Sequence, residues 1–203
     1  PFFKQIMNSF IRTYFNFFLL LITWVASGII LKELSYIVVS ISVILLWRKR
    51  EFFKVLLGLL LILLLSDNLQ PMLSFAKTLK SIYMLLVGVL FVFSSDKITP
   101  KSKIFMIFLP FVGFAYFSLF FSGPNILVSF QKSISYTILL LAVPSLVVKS
   151  INDNGVKIIK DVLYFFACVL IIGIAIKFIN FDFVSRGERF SNLLGNPNGL
   201  GIF

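Results

Sequence analysis

The side chains best suited to chemistry lie in one segment near the C-terminal end of the sequence. Residues 180–201 contain two of the five arginines, Arg186 and Arg189, and two of the eight acids, Asp182 and Glu188. The planar donor forks of arginine suit the oxygens of a phosphate group. The sequence has no histidine, and its single cysteine lies inside an apolar run. Histidine-based acid–base chemistry and a cysteine or histidine metal framework are therefore excluded within this chain.

The same segment ends in a predicted helix start. Asn196 is a good N-cap and Pro197 suits the first helical position, so a helix should open there. The unpaired N–H groups and partial positive charge of a helix N-terminus favour an anion. Together with the two arginines just before it, the segment predicts a membrane-level pocket for a phosphate or diphosphate. A pair of arginines that snorkel beside an ordinary helix start explains the same residues equally well.

The composition of the whole chain indicates the class of protein to which this segment belongs. Of the 203 residues, 59% are hydrophobic, 17% aromatic and 13% charged. Soluble domains have about half apolar and about a quarter charged residues, so a soluble domain and a disordered chain are both excluded. Charge-free stretches recur along the whole length, which predicts an all-α, polytopic transmembrane helical bundle. We expect the start of an eighth span near Pro197 and seven complete spans within residues 13–31, 34–47, 55–66, 81–95, 104–122, 133–148 and 162–176.

Basic residues predict the orientation of these spans. The N-terminal tail and the second, fourth and sixth loops carry twelve lysines and arginines, whereas the other side carries seven. The positive-inside rule then places the N-terminus in the cytoplasm and the loop over residues 179–197 outside, in a multi-pass protein of the cytoplasmic membrane. The net charge of +11 has the same explanation, so we expect no nucleic-acid partner.

Two local features bear on where the spans begin and end. Trp47 and Tyr36 are expected to anchor the second span at the membrane interface. The stretch Gln70–Lys80 is compatible with two structures. It is either an interfacial amphipathic helix with Lys77 and Lys80 on its polar side, or the start of the fourth span.

The pattern formed by Arg189, Gly195-Asn196-Pro197-Asn198 and Leu200-Gly201 resembles the signature of the O-antigen ligase and polymerase superfamily. In that signature an arginine precedes Gly-Asn-Pro-Asn and a small or apolar helix start, and the spacing from the arginine to Asn-Pro matches here. Asn192 stands where the family usually has glycine, and asparagine tolerates a positive φ better than most residues. Over the rest of its length the phenylalanine- and lysine-rich chain resembles capsule or exopolysaccharide polymerases.

The resemblance implies a function for the intact protein. Members of this superfamily join glycan units carried on a polyprenyl diphosphate at the outer face of the cytoplasmic membrane, during surface polysaccharide biosynthesis. Polymerases transfer the growing glycan to the next lipid-linked repeat, and ligases transfer it to a different acceptor. The implied partners are the lipid-linked oligosaccharide, membrane lipids, a flippase and chain-length regulator proteins. No metal or other cofactor is implied.

The resemblance also implies roles for individual residues. Arg189, by its motif position, is the first candidate to stabilise the charge that develops on the leaving diphosphate, and Arg186 is the second. Glu188 is a candidate general base for the acceptor hydroxyl, or a charge partner for the arginines, and Asp182 is a further external acid nearby. Gly195, Asn196 and Asn198, at the turn and helix start, are the candidates for substrate binding.

Two other classes of function are compatible with the sequence. A channel or transporter for a small solute or anion fits Asn-Pro-Asn, although water channels carry paired Asn-Pro motifs and ion transport usually requires ionisable residues inside the spans. A non-catalytic membrane scaffold would make the arginine pair dispensable. We expect residues 1–203 to form a single transmembrane domain, the N-terminal fragment of a larger membrane protein whose active site needs further residues.

Overall fold

The computed structural model describes residues 2–68, 70–94, 103–121, 126–180, 184–186, 189–190 and 193. These residues form seven α-helices, α1 (Phe2–Ile30), α2 (Lys32–Arg48), α3 (Phe52–Ser66), α4 (Phe75–Phe93), α5 (Ile104–Ser118), α6 (Ile126–Asn154) and α7 (Lys157–Ile179). Short 3-10 helices, Pro71–Leu73 and Leu119–Phe121, precede α4 and follow α5. A two-stranded antiparallel pair, β1 (Ser185–Arg186) and β2 (Arg189–Phe190), follows α7. This architecture agrees with the predicted all-α bundle.

Four helical segments are long and apolar enough to cross a membrane: Phe10–Ile30, Pro71–Phe93, Ile126–Asn154 and Lys157–Ile179. Phe52–Ser66 and Phe105–Phe121 are apolar but shorter than the about 20 residues of a straight span. Many large apolar side chains on the helices face outward. These are the features of a helical membrane protein. Seven complete spans remain a prediction, and the predicted eighth helix start at Pro197 lies outside the described residues.

The helices are longer than the charge-free stretches of the sequence. Helix α4 begins at Phe75, so the stretch Gln70–Lys80 leads directly into the fourth helix after one 3-10 turn. Of the two structures compatible with this stretch, continuity with the fourth helix is the one observed. Lys80 and Lys149 lie within α4 and α6, just outside the charge-free stretches from which the spans were predicted.

Helix α3 lies at the centre of the bundle together with α4. After Lys54 in its first turn its sequence is apolar on every face, which is typical of a helix that is buried all round. Helix α4 packs against α2, α3 and α6. The approach of α3 to its neighbours requires glycine at position 58, where a Cβ would lie 2.9 Å from the ring of Trp24 and 2.9 Å from the hydroxyl of Tyr83. That hydroxyl donates a hydrogen bond of 2.7 Å to the carbonyl of Val55.

The contacts between helix ends show that the helices alternate in direction. One cavity is lined by residues from the last turns of three helices, namely Ile29 of α1, Leu65 of α3 and Ile176 of α7. Leu73, just before α4, lines the same cavity. Val128, near the start of α6, lines a second cavity with Leu63 of α3. The strands β1 and β2 follow α7 at this end of the bundle, which we call the hairpin end.

The opposite end is organised around Trp47, the penultimate residue of α2. Its Nε1 donates a hydrogen bond of 3.0 Å to Oγ of Ser94, just after α4. Its ring packs edge-on against Phe52 and Phe91, at centroid distances of 5.1 and 5.0 Å. Trp47 is only 6% exposed, so the expectation of an interface anchor is wrong at this position. Tyr36 is half-buried and also packs against the core.

Candidate functional site

The two arginine positions singled out in the sequence lie on β1 and β2. The register pairs Ser185 with Phe190 and Arg186 with Arg189. Directly opposite residues of an antiparallel pair have Cα atoms about 4.5–5.5 Å apart. The structure therefore brings the two arginine positions together across the ladder. The other residues predicted for the site, Asp182, Glu188, Gly195, Asn196 and Asn198, lie outside the described residues.

Residues on both sides of the hairpin anchor it to the bundle. Val184, just before β1, is fully buried, and Leu193, three residues after β2, is 8% exposed. The side-chain amide of Asn68 donates a hydrogen bond of 3.4 Å to the carbonyl of Leu193. The carbonyl oxygen of the same amide accepts a hydrogen bond of 2.9 Å from the backbone N–H of Gln70. The connection between α3 and α4 thus holds the segment that follows the hairpin.

An apolar cavity lies directly beside this anchor. It has a volume of about 390 Å³ and is formed by α1, α3 and α7, with Leu73 and Leu193 at the hairpin end. Helices α1 and α7 run in the same direction along it, and Phe18 stacks on Phe165 with ring centroids 6.3 Å apart. Its lining is wholly apolar and includes Leu21, Val25, Ala26, Val169 and Ile172. Its volume is within the range of sites that hold small organic ligands.

A short segment of chain connects the hairpin to the cavity. Leu193 lines the cavity and is three residues from Phe190, a separation that an extended chain spans in at most about 11 Å. Lys177, in the last turn of α7, adds a positive charge beside the negative end of that helix dipole. Arg189 therefore lies four residues along the chain from Leu193, which lines a cavity whose walls are wholly apolar.

Within the described part of the chain, no group of three or more cysteine, aspartate or glutamate side chains is placed to hold a metal ion. Compared with models of protein families, with curated proteins and with solved structures, the chain matches none of them. A functional assignment therefore rests on the chemistry of the site itself.

Two parts of the site were missed in the sequence. Asn68 is buried and polar, and it lies three positions before Pro71, which begins a 3-10 helix. An asparagine shortly before a proline at a helix start is the sequence signal that could have identified Asn68. The apolar cavity has no such signal, because its walls come from residues as distant in sequence as Phe18 and Phe165 and consist of the commonest residue types in the chain.

Proposed function

We propose that the intact protein joins glycan units carried on a polyprenyl diphosphate at the outer face of the cytoplasmic membrane, as a polymerase or ligase of surface polysaccharide. The observation that carries this proposal is the pairing of the Arg186 and Arg189 positions on a hairpin whose second strand ends three residues before Leu193, which lines the apolar cavity. A polyprenyl diphosphate has the matching chemistry, because its head carries two phosphates and its tail is hydrocarbon. The motif that resembles the O-antigen ligase and polymerase superfamily begins at Arg189 of this pair.

The proposal includes an orientation in which the hairpin end faces the outside. The alternating helix directions separate the hairpin from the basic segments over residues 48–54 and 149–160, which lie at the opposite end. The positive-inside rule favours the cytoplasm for those basic segments. We further propose that all seven helices cross the membrane. The 17 residues of α2 extend about 26 Å, close to the about 30 Å of the hydrocarbon core, and its end at Arg48 can snorkel.

In this proposal Arg189 stabilises the negative charge that develops on the leaving diphosphate during glycan transfer, and Arg186 assists it. Charge stabilisation by groups already aimed at the reacting atoms is usually the largest single contribution to catalysis. Glu188 is the candidate base for the acceptor hydroxyl. Asn196, Asn198 and Gly195 shape a helix start whose N–H groups bind the phosphate oxygens.

The test replaces Arg189 in the intact protein, produced in cells that lack their own copy. Arg189→Ala should lower polymer formation about a hundred- to a thousand-fold, as expected for the loss of one contact made in the transition state. Arg189→Lys should recover little, because an ammonium group cannot reproduce the two-pronged contact of a guanidinium. Arg12→Ala, on the exposed surface of α1, is the matched control and should leave polymer formation unchanged. Polymer length is read on a gel and protein abundance by immunoblot.

Three results would contradict the proposal. Normal polymer from Arg189→Ala at normal protein abundance would remove Arg189 from the site. Loss of the variant from the membrane, with Arg189→Lys restoring both protein and polymer, would give Arg189 an anchoring role. Unchanged polysaccharide together with impaired uptake of an anion would favour the transport alternative.

A further inference from the structure

A second cavity at the hairpin end contains two lysines. It has a volume of about 430 Å³ and lies between α3, α4 and α6. Lys80 reaches it from α4 and Lys132 from α6, while Met84 and Leu139 supply apolar lining. It shares no lining residue with the apolar cavity between α1, α3 and α7. It is therefore a separate place at which a ligand can bind.

The two lysines lie inside helices that are long enough to cross a membrane. Lys80 is five residues from the start of α4, and Lys132 is six residues from the start of α6. At about 1.5 Å per residue, both positions lie about 8–9 Å along the helix axes from the hairpin end. Basic residues within membrane helices are costly and usually face a polar cavity or a charged partner. Two of them on one cavity at the same depth indicate a partner of opposite charge.

The protein does not supply that partner within the part of the chain that the structure describes. No aspartate or glutamate is among the described residues that line the cavity. The ion pairs Lys54–Glu51 at 2.9 Å and Lys149–Asp153 at 3.1 Å both lie at the opposite end of the bundle. Lys80 is half-buried and Lys132 is exposed, and the repulsion between two like charges that line one cavity is relieved when an anion enters it.

We infer that this cavity binds the phosphate head group of an anionic membrane lipid. Lys80 and Lys132 provide the charge, and Gln131 and Tyr136 add neutral hydrogen-bond donors beside them. Met84, Leu139 and Leu63 of α3 line the part of the cavity that receives the start of an acyl chain. A lipid fits better than free phosphate because it uses both the charged and the apolar lining. This inference goes beyond glycan transfer and holds whether or not the protein performs it.

The test uses the purified chain in nanodiscs of phosphatidylcholine that contain a small fraction of phosphatidylglycerol with a diazirine in one acyl chain. Illumination should place adducts on the peptides that contain Met84 and Leu139, identified by mass spectrometry after digestion. The double variant Lys80→Gln, Lys132→Gln should lower the adduct yield about ten-fold or more, as expected for the loss of two hydrogen bonds to a charged group. Lys80→Arg with Lys132→Arg should keep the yield, because the charges remain.

Lys77→Gln is the matched control, because Lys77 lies on the same helix, is exposed and does not line the cavity. It should label like the wild type. The inference is overturned if the double variant labels normally while eluting as a folded protein, or if a diazirine phosphatidylcholine labels the same peptides equally well. It is also overturned if millimolar inorganic phosphate abolishes the labelling, since the occupant would then be a free anion.

Discussion

The hydroxyl of Tyr14 on α1 donates a hydrogen bond of 2.8 Å to Oδ2 of Asp161 on α7, across 147 residues of sequence. Both side chains are buried, and the ring of Phe10 packs on Tyr14 at a centroid distance of 4.8 Å. The bond lies at the opposite end of the bundle from the hairpin and joins α1 and α7, two of the three helices that form the walls of the apolar cavity. It therefore fixes the relative position of those walls.

Loss of the Tyr14 hydroxyl should destabilise the bundle. Tyr14→Phe keeps the ring but leaves the buried carboxyl of Asp161 without its donor, which should lower the free energy of unfolding by about 1–2 kcal/mol. The measurement is reversible unfolding in mixed detergent micelles, followed by circular dichroism. Tyr116→Phe is the control, because the Tyr116 hydroxyl has no hydrogen bond within the described residues and its ring contact with Phe130 is retained. Equal stability of the two variants would show that the Tyr14–Asp161 bond contributes nothing.

Adding a single methyl group at Gly58 should also destabilise the bundle. In Gly58→Ala the added carbon would lie 2.9 Å from the side chains of Trp24 and Tyr83, so either α3 or these two buried side chains must shift. We expect a loss of about 1–3 kcal/mol in the free energy of unfolding, as for other overpacked cores. Gly113→Ala on α5 is the matched change, because a methyl group there meets no atom within 4 Å. If both variants unfold alike, the proximity of Trp24 and Tyr83 to Gly58 does not constrain the fold.

The apolar cavity should be required for binding of the lipid carrier. Ala26→Phe fills part of it from α1 and should exclude at least two methylene groups of a tail, which corresponds to about 1.6 kcal/mol, or about ten-fold in affinity. Binding of undecaprenyl diphosphate to the purified protein is measured by native mass spectrometry. Ala175→Phe adds the same volume at an exposed position on α7 outside the cavity and should bind normally. Unchanged binding by Ala26→Phe would exclude the cavity as the tail site.

The orientation can be tested by labelling single cysteines in intact cells. With Cys168 replaced by alanine, Ser185→Cys in strand β1 of the hairpin should react with a membrane-impermeant maleimide. Asn154→Cys, at the last residue of α6, should react only after the cells are permeabilised. The basis is the excess of basic residues on the predicted cytoplasmic side. The reverse labelling pattern would invert the topology and place the arginine pair in the cytoplasm.

Helices α5 and α3 show which features of the fold could be predicted from the sequence alone. Both contain 15 residues, and apart from Lys54 in the first turn of α3 both are apolar on every face. In the structure α3 is buried at the centre, whereas Phe111, Phe114 and Phe117 of α5 are 70%, 72% and 59% exposed. Lipid tails satisfy an apolar side chain as well as a protein interior does, so hydrophobicity cannot tell the two helices apart. The difference comes from α3 packing against α2, α4 and α6, while α5 packs mainly against α6.

The sequence by itself determined the class of the protein and marked the positions that we propose carry its chemistry. Apolar composition and charge-free runs required membrane helices, because an unpaired backbone is too costly in hydrocarbon. The types and spacing of Arg186 and Arg189 marked a candidate anion site. Only the tertiary structure decided that these arginine positions pair across a ladder, that Asn68 holds Leu193, and that Lys80 and Lys132 face one cavity. Each of these contacts joins residues from different elements, and the packing that brings them together depends on the shapes of many apolar side chains, which a hydrophobicity pattern does not encode.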